Sequence, residues 1–120
     1  MRGRSTRIRI FYQGRFTGLF QPRPRLHSCL LGATYTVAGT EGPGIAATVR
    51  TLSTERIGLI LDRSHPEGTV LLLAVRCKNL EQVVYRRVRL EQVQALGGAW
   101  IADGSLLPPL HESEVMALLT

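Results

Sequence analysis

Residues 45–62, IAATVRTLSTERIGLILD, contain two apolar segments on either side of a short polar one, and this arrangement decides the fold. The segments 45–52 and 57–62 are rich in Val, Ile, Leu and Thr, which favour β-strands. The polar cluster between them, residues 53–56, is typical of a turn. We therefore predict two strands separated by a turn at the centre of the chain.

The same pattern of strand-like and turn-like segments continues on both sides of this stretch. Further strands, each bounded by residues that favour turns, are predicted at 29–37, 69–77, 83–95 and 99–103.

The segment 83–95 allows two interpretations. Its apolar side chains change parity, and a β-bulge near Glu91 and Gln92 would account for the change. A helix over 80–96 is the alternative, because three of its apolar residues are spaced by four. The β-branched content of the segment favours the strand.

A single helix is predicted at the end of the chain. Pro108 and Pro109 end the sheet region, and a helix follows at 111–119. Glu112 and Glu114 lie in its first turn, where the helix dipole favours acidic side chains. Its apolar face consists of Val115, Leu118 and Leu119.

Six short strands followed by one helix indicate an all-β fold, either a small antiparallel β-barrel or a sandwich, with a C-terminal helix. The 120 residues correspond to one domain. Residues 1–20 are interpreted as a basic N-terminal extension or a frayed hairpin, and residues 21–120 as the barrel domain. A barrel of this size fills its own interior, so we expect any ligand site on its outer wall or at its mouth.

The positive charge of the chain is concentrated in its first third. The net charge is +6, from 15 basic and 9 acidic residues. Residues 1–40 hold seven arginines and no acidic residue, whereas residues 41–120 carry a net charge of −1. A basic end of this kind indicates an anionic partner, such as a nucleotide, a nucleic acid or an acidic protein face. A solvated basic tail without a specific partner is the alternative.

Several classes of protein are disfavoured by the sequence. The longest uninterrupted apolar run, residues 70–75, is too short to span a membrane, and residues 1–20 hold no secretory apolar region. Cys29 and Cys77 fit no disulfide scaffold or metal motif, and we expect two free, buried thiols in a reducing cytoplasm. The three histidines show no ligand spacing, and no nucleotide-binding glycine motif is present. We therefore predict no enzyme, no catalytic residues, no metal and no resident cofactor.

The segment 21–25, QPRPR, is the strongest binding signal outside the strands. Its prolines fix an extended backbone, on which Arg23 and Arg25 project to the same side. Two guanidinium groups on one side can clamp a phosphate or pair with the O6 and N7 atoms of guanine. A proline-rich linker is the alternative.

The chain from residue 21 to residue 119 resembles the PilZ domain, a bacterial receptor module for cyclic di-GMP. The matching parts, in order, are PR at 24–25, Cys29, ATVRTLS at 47–53, IGLIL at 57–61, PEGT at 66–69, VLLLAV at 70–75, WI at 100–101 and PLHESE at 109–114. The resemblance implies a six-stranded antiparallel β-barrel with a C-terminal helix, in agreement with the strand count above.

The resemblance also implies a ligand site built from two motifs. In the family, an R-x-x-x-R loop wraps the phosphates and guanines, and a D/N-x-S-x-x-G motif at a strand end supplies hydrogen bonds and room for close approach. Here Arg25 and Ser53 match, while three of the five signature positions differ. The implied ligand-binding residues are Gln21, Arg23, Arg25, Thr51, Ser53 and Arg56, of which Gln21, Thr51 and Arg56 stand where the family has Arg, Asp or Asn, and Gly.

These observations leave three hypotheses about function. The first is a cyclic di-GMP receptor or adaptor with an altered site, acting on an effector protein that the sequence does not identify. The second is a degenerate PilZ module that binds a protein and no nucleotide. The third, which we favour least, is a nucleic-acid binder whose aromatic residues at 11–20 stack on bases between arginines. Packing of those aromatics onto the barrel is the alternative explanation for them.

Overall fold

A computed structural model describes residues 25–77 and 82–120 of the chain. Six β-strands and one α-helix are present in these residues. They are β1 (His27–Val37), β2 (Ile45–Leu52), β3 (Arg56–Leu61), β4 (Val70–Arg76), β5 (Val83–Leu96), β6 (Ala99–Leu107) and α1 (Glu112–Leu119). Residues 1–20, interpreted above as an extension or hairpin, lie outside the described residues.

The six strands form one closed, antiparallel barrel. Around the barrel the order is β1-β2-β3-β6-β5-β4, and β4 pairs with β1 to close it. The prediction of an all-β, six-stranded antiparallel barrel with a C-terminal helix is confirmed. Because β3 pairs with β6, two strands that are far apart in the sequence lie side by side on the barrel wall.

The interior of the barrel is filled by apolar side chains that alternate along the strands. Leu59 and Leu61 on β3, and Leu71 and Leu73 on β4, are at most 2% exposed. Burial of such a side chain contributes about 1.5–3 kcal/mol to folding. The polar partners in the alternation therefore face outward, where they form the outer wall.

The predicted details of β5 and β6 differ in accuracy. The residues at 83–96 form a strand, and its pairing with β6 shifts register between Leu90 and Gln92, as the predicted bulge requires. Strand β6 extends to Leu107 instead of ending at residue 103. Gly104 weakens the strand pattern in the sequence, but a side chain there would collide with Val88 and the backbone of β5, so glycine permits the close pairing.

Helix α1 packs against the barrel and is fixed by one carboxylate. Val115 and Leu118 are buried in the core, together with Leu110 just before the helix. Glu114 accepts hydrogen bonds from Arg86 Nη2 on β5 at 2.8 Å and from the backbone N–H of His111 at 2.8 Å. Glu114 therefore joins the start of the helix to the barrel, and its negative charge also interacts favourably with the helix dipole.

The two cysteines are free thiols, but only one of them is buried. Cys77 is 1% exposed, whereas Cys29 is half-buried. The prediction of burial was therefore wrong for Cys29, which lies where the pairing of β1 with β2 is irregular, between Ser28 and Leu31. The partial burial of Cys29 is enough to raise the pKa of its thiol.

Candidate functional site

The turn between β2 and β3 is held by the side chain of Ser53. Its hydroxyl accepts hydrogen bonds from the backbone N–H groups of Arg56, at 3.0 Å, and Glu55, at 3.3 Å. The Ser53 N–H donates to the Arg56 carbonyl at 2.9 Å, and the residue is 3% exposed. Serine hydroxyls commonly stabilise turns in this way. Ser53 therefore shapes the turn, and its hydroxyl is engaged inside it.

Two backbone carbonyls of the same turn accept hydrogen bonds from residues at the end of β6 and before the start of α1. The Leu106 N–H donates to the Glu55 carbonyl at 2.9 Å, and the Leu110 N–H donates to the Thr54 carbonyl at 2.7 Å. The turn is thus fixed to β6 and to the segment that leads into α1.

A cleft of about 560 Å³ lies against this turn on the outer wall. We call it the turn cleft. Its lining residues are Leu26, Thr51, Ser53, Glu55, Arg56, Ile57, Gln92 and Asp103. Three of the six implied ligand-binding residues, Thr51, Ser53 and Arg56, therefore line one cavity.

Arg25 lines a second, smaller cavity of about 230 Å³ beside α1, which we call the helix pocket. Thr54 and Glu112 line it as well. Arg25 and Thr54 are chain neighbours of Leu26 and Ser53, so the two cavities take adjacent residues from the same two segments. Arg25 and Ser53 consequently lie on the same side of the barrel. Gln21 and Arg23 lie outside the described residues.

Arg56 forms an ion pair that no local pattern of residues predicts. Its Nη1 donates to Glu91 Oε1 at 2.8 Å, and the hydroxyl of Ser105 donates to the other oxygen of Glu91. These two donors, Ser105 first and then Arg56, lower the pKa of Glu91. Glu91 lies at the bulge of β5, and Arg56 reaches it from β3 across the intervening strand β6. An anionic ligand at Arg56 would compete with this carboxylate.

Thr51 lies next to a carboxylate from a distant part of the chain. Thr51 pairs with Gly58, and Gly58 pairs with Asp103. A Cβ atom on Gly58 would overlap Thr51 Oγ1 and lie 3.1 Å from Asp103 Oδ1. Asp103 Oδ1 is 3.5 Å from Arg50 Nη2. The missing side chain of Gly58 therefore allows the Thr51 hydroxyl and the Asp103 carboxylate to lie close together at the turn cleft.

Asp103 could not be assigned to the site from the sequence, because no partner for its carboxylate lies near it in the chain. The residue lies 52 positions after Thr51 in the chain, and only the pairing of β3 with β6 brings the two together. The chemistry of the cleft combines hydrogen-bond acceptors and donors with the apolar side chains of Leu26 and Ile57. Such a mixture of apolar and polar lining residues is usual for small-molecule sites.

His65 makes a contact with a residue of the barrel core. Its Nε2 and the hydroxyl of Tyr35, a core residue that is 1% exposed, are 2.8 Å apart and share a hydrogen bond. Burial and the nearby Arg63 lower the pKa of His65.

Within residues 25–77 and 82–120, no group of three His, Cys, Asp or Glu side chains is arranged to hold a metal ion. The same residues form no helix with the length and hydropathy required to cross a bilayer.

Comparison with known proteins supports the fold assignment. No family model and no curated protein matches the sequence. Among solved structures, the Bacillus subtilis inhibitor of motility (MotI/DgrA) superposes with a TM-score of 0.62 at 11% sequence identity. The chain has a PilZ-like fold. The alignment covers 83% of this chain and 49% of that one, so this PilZ-like barrel spans about half the length of the protein it matches. At 11% identity the likeness is one of fold.

Proposed function

We propose that this PilZ-like barrel is a receptor or adaptor module that binds cyclic di-GMP at the turn cleft through an altered set of residues. The observation that carries the proposal is the grouping of Thr51, Ser53 and Arg56 along one cleft, with Arg25 in the adjoining helix pocket. These are the positions at which the family resemblance puts the ligand contacts. The role is one of binding rather than catalysis.

The size of the two cavities is compatible with a dinucleotide. Their volumes, about 560 and 230 Å³, together fall within the range of about 300–1,000 Å³ that is usual for small-molecule sites. Leu26 and Ile57 offer apolar surface for a base, and the polar lining residues offer hydrogen bonds.

Each retained or altered residue then has a distinct role. Arg25 supplies charge to one phosphate, since a guanidinium can bind phosphate oxygens with two parallel hydrogen bonds. Arg56 supplies charge to the other once it leaves Glu91. Ser53 keeps the turn in shape, and Thr51 offers its hydroxyl to the ligand. The proposal assigns the protein to the cytoplasm, which is consistent with its free thiols.

Calorimetric titration of the full chain with cyclic di-GMP tests this function. Arg25→Ala removes a charge-assisted hydrogen bond, which is worth about 1.5–3 kcal/mol, so we expect binding to weaken by about 10- to 150-fold. Arg87→Ala is the matched control: it removes the same charge from an exposed position of β5 that lines another face of the barrel. We expect it to change the affinity less than about twofold. Equal effects of the two variants would contradict the proposed site.

A nucleotide-free interaction module is the second candidate, and a specific observation favours it. The hydroxyl of Ser53 and the guanidinium of Arg56 are both engaged by groups of the protein itself. A groove of about 530 Å³ on another face carries the exposed side chains of Leu72 and Tyr85, which suit a protein contact. Absence of both binding heat and a thermal shift at about 1 mM cyclic di-GMP would favour this candidate.

The nucleic-acid hypothesis rests on residues outside the described part of the chain. A filter-binding assay of the full chain, with affinity measured against salt concentration, tests it separately.

A further inference from the structure

A row of side chains crosses four strands at the turn cleft. Thr51 on β2 pairs with Gly58 on β3, Gly58 pairs with Asp103 on β6, and Asp103 pairs with Gln92 on β5. Because Thr51, Asp103 and Gln92 all line the cleft, the row forms part of its wall. Only Gly58, at the centre of the row, has no side chain.

Gly58 determines how closely its two neighbours approach. A Cβ atom at this position would overlap Thr51 Oγ1 and lie 3.1 Å from Asp103 Oδ1. The hydroxyl and the carboxylate therefore occupy the space that a side chain at residue 58 would take. Asp103 thus offers its carboxylate at nearly the same place as Thr51 offers its hydroxyl.

The carboxylate of Asp103 has capacity for further hydrogen bonds. Its one ion pair in the described residues is with Arg50, at 3.5 Å between Oδ1 and Nη2, and its side chain is 35% exposed. An ionised carboxylate only accepts hydrogen bonds, and it can accept about four. The Arg50 guanidinium orients the group while leaving acceptor positions open to the cleft.

We infer that Asp103 is the residue that selects guanine over adenine in the turn cleft, an inference that rests on the proposed function. The Watson–Crick edge of guanine presents two adjacent donors, N1–H and N2–H, which match the two oxygens of a carboxylate. The same edge of adenine presents a ring acceptor, which a carboxylate repels. Thr51 carries no charge at the motif's acidic position, and Asp103 supplies the carboxylate from the neighbouring side of Gly58.

Parallel titrations of the full chain with cyclic di-GMP and cyclic di-AMP test this inference. The wild type should prefer cyclic di-GMP by at least tenfold, because a site built to pair with donors rejects an analogue that lacks them. Asp103→Asn should weaken cyclic di-GMP binding by about tenfold or more and leave cyclic di-AMP binding equal or tighter. Asp62→Asn, the same change at the other aspartate of the chain, should alter neither affinity.

A swap variant separates recognition from folding. Thr51→Asp combined with Asp103→Thr moves the carboxylate to the other side of Gly58, and it should restore the preference for cyclic di-GMP. Retention of the full guanine preference in Asp103→Asn would overturn the inference and leave the proposed function intact. Failure of the wild type to bind either dinucleotide would overturn both.

Discussion

The Arg56–Glu91 ion pair gives a prediction that reaches into both stability and binding. The Glu91 carboxylate lies 2.8 Å from the Arg56 guanidinium, which the proposed ligand also requires. Ser105 donates a hydrogen bond to the second oxygen of the same carboxylate. Glu91→Gln keeps the size of the side chain and removes its charge. We expect this variant to bind cyclic di-GMP more tightly than the wild type, because Arg56 no longer has to leave an ionic partner.

The magnitude follows from the exposure of the pair. The side chains of Arg56 and Glu91 are 49% and 40% exposed, and ion pairs of this kind contribute about 0.2–1 kcal/mol. Removing that competition should improve the dissociation constant by up to about fivefold, since 1.4 kcal/mol corresponds to tenfold. The same term is lost from folding, so the thermal midpoint should fall by no more than about 8 °C.

Calorimetry and thermal unfolding of the same samples check both numbers. Glu55→Gln is the matched control, because Glu55 lines the same cleft but forms none of the ion pairs found in residues 25–77 and 82–120. Equal gains in both variants would assign the effect to net charge. Unchanged or weaker binding in Glu91→Gln would refute the competition itself.

Two further predictions concern stability. Glu114→Ala removes the hydrogen bonds from Arg86 and from the His111 N–H, and it leaves the Arg86 side chain, which is only 18% exposed, without its carboxylate partner. We expect the free energy of unfolding, measured by chemical denaturation, to fall by about 2–3 kcal/mol. Glu112→Ala, an exposed change in the same helical turn, should cost no more than about 1 kcal/mol, and an equal loss in both would contradict the assigned role. The folded-state pKa values of Glu91 and Glu114 are lowered, by Ser105 for Glu91 and by the His111 N–H for Glu114. Their contribution to stability is therefore present above the unfolded-state pKa of about 4.3 and is lost as the pH falls through the folded-state pKa values. The thermal midpoint should decline below about pH 4.5, and it should decline less steeply in Glu114→Gln.

Most of the barrel could be predicted from local sequence because each strand is locally consistent. The segment 45–52 has the same bounds in prediction and structure, and the parity change near Glu91 marks a real shift in register. These features depend on alternation and β-branched content, which are properties of neighbouring residues. The length of β6 was underestimated because Gly104 interrupts the pattern, whereas the reason for that glycine lies on β5.

The candidate site could be predicted only in part, because its chemistry depends on contacts between strands. The grouping of Thr51, Ser53 and Arg56 follows from their closeness in the sequence, and the structure brings them to one cleft. The ion pair of Arg56 with Glu91 and the closeness of Asp103 to Thr51 depend on the order of the strands around the barrel. A single sequence carries no local signal for that order.

The hydrogen bonds from Leu106 and Leu110 to the carbonyls of Glu55 and Thr54 connect the turn directly to β6 and to the segment that leads into α1. Met116 of α1 is exposed and also lines the helix pocket, so a macromolecule bound there would lie beside the proposed ligand and near the same turn. Thermodynamic reciprocity then requires each of these two occupants to change the affinity of the other by the same factor. The binding of a nucleotide and the binding of a protein partner would then be coupled through the few peptide groups that these two hydrogen bonds join.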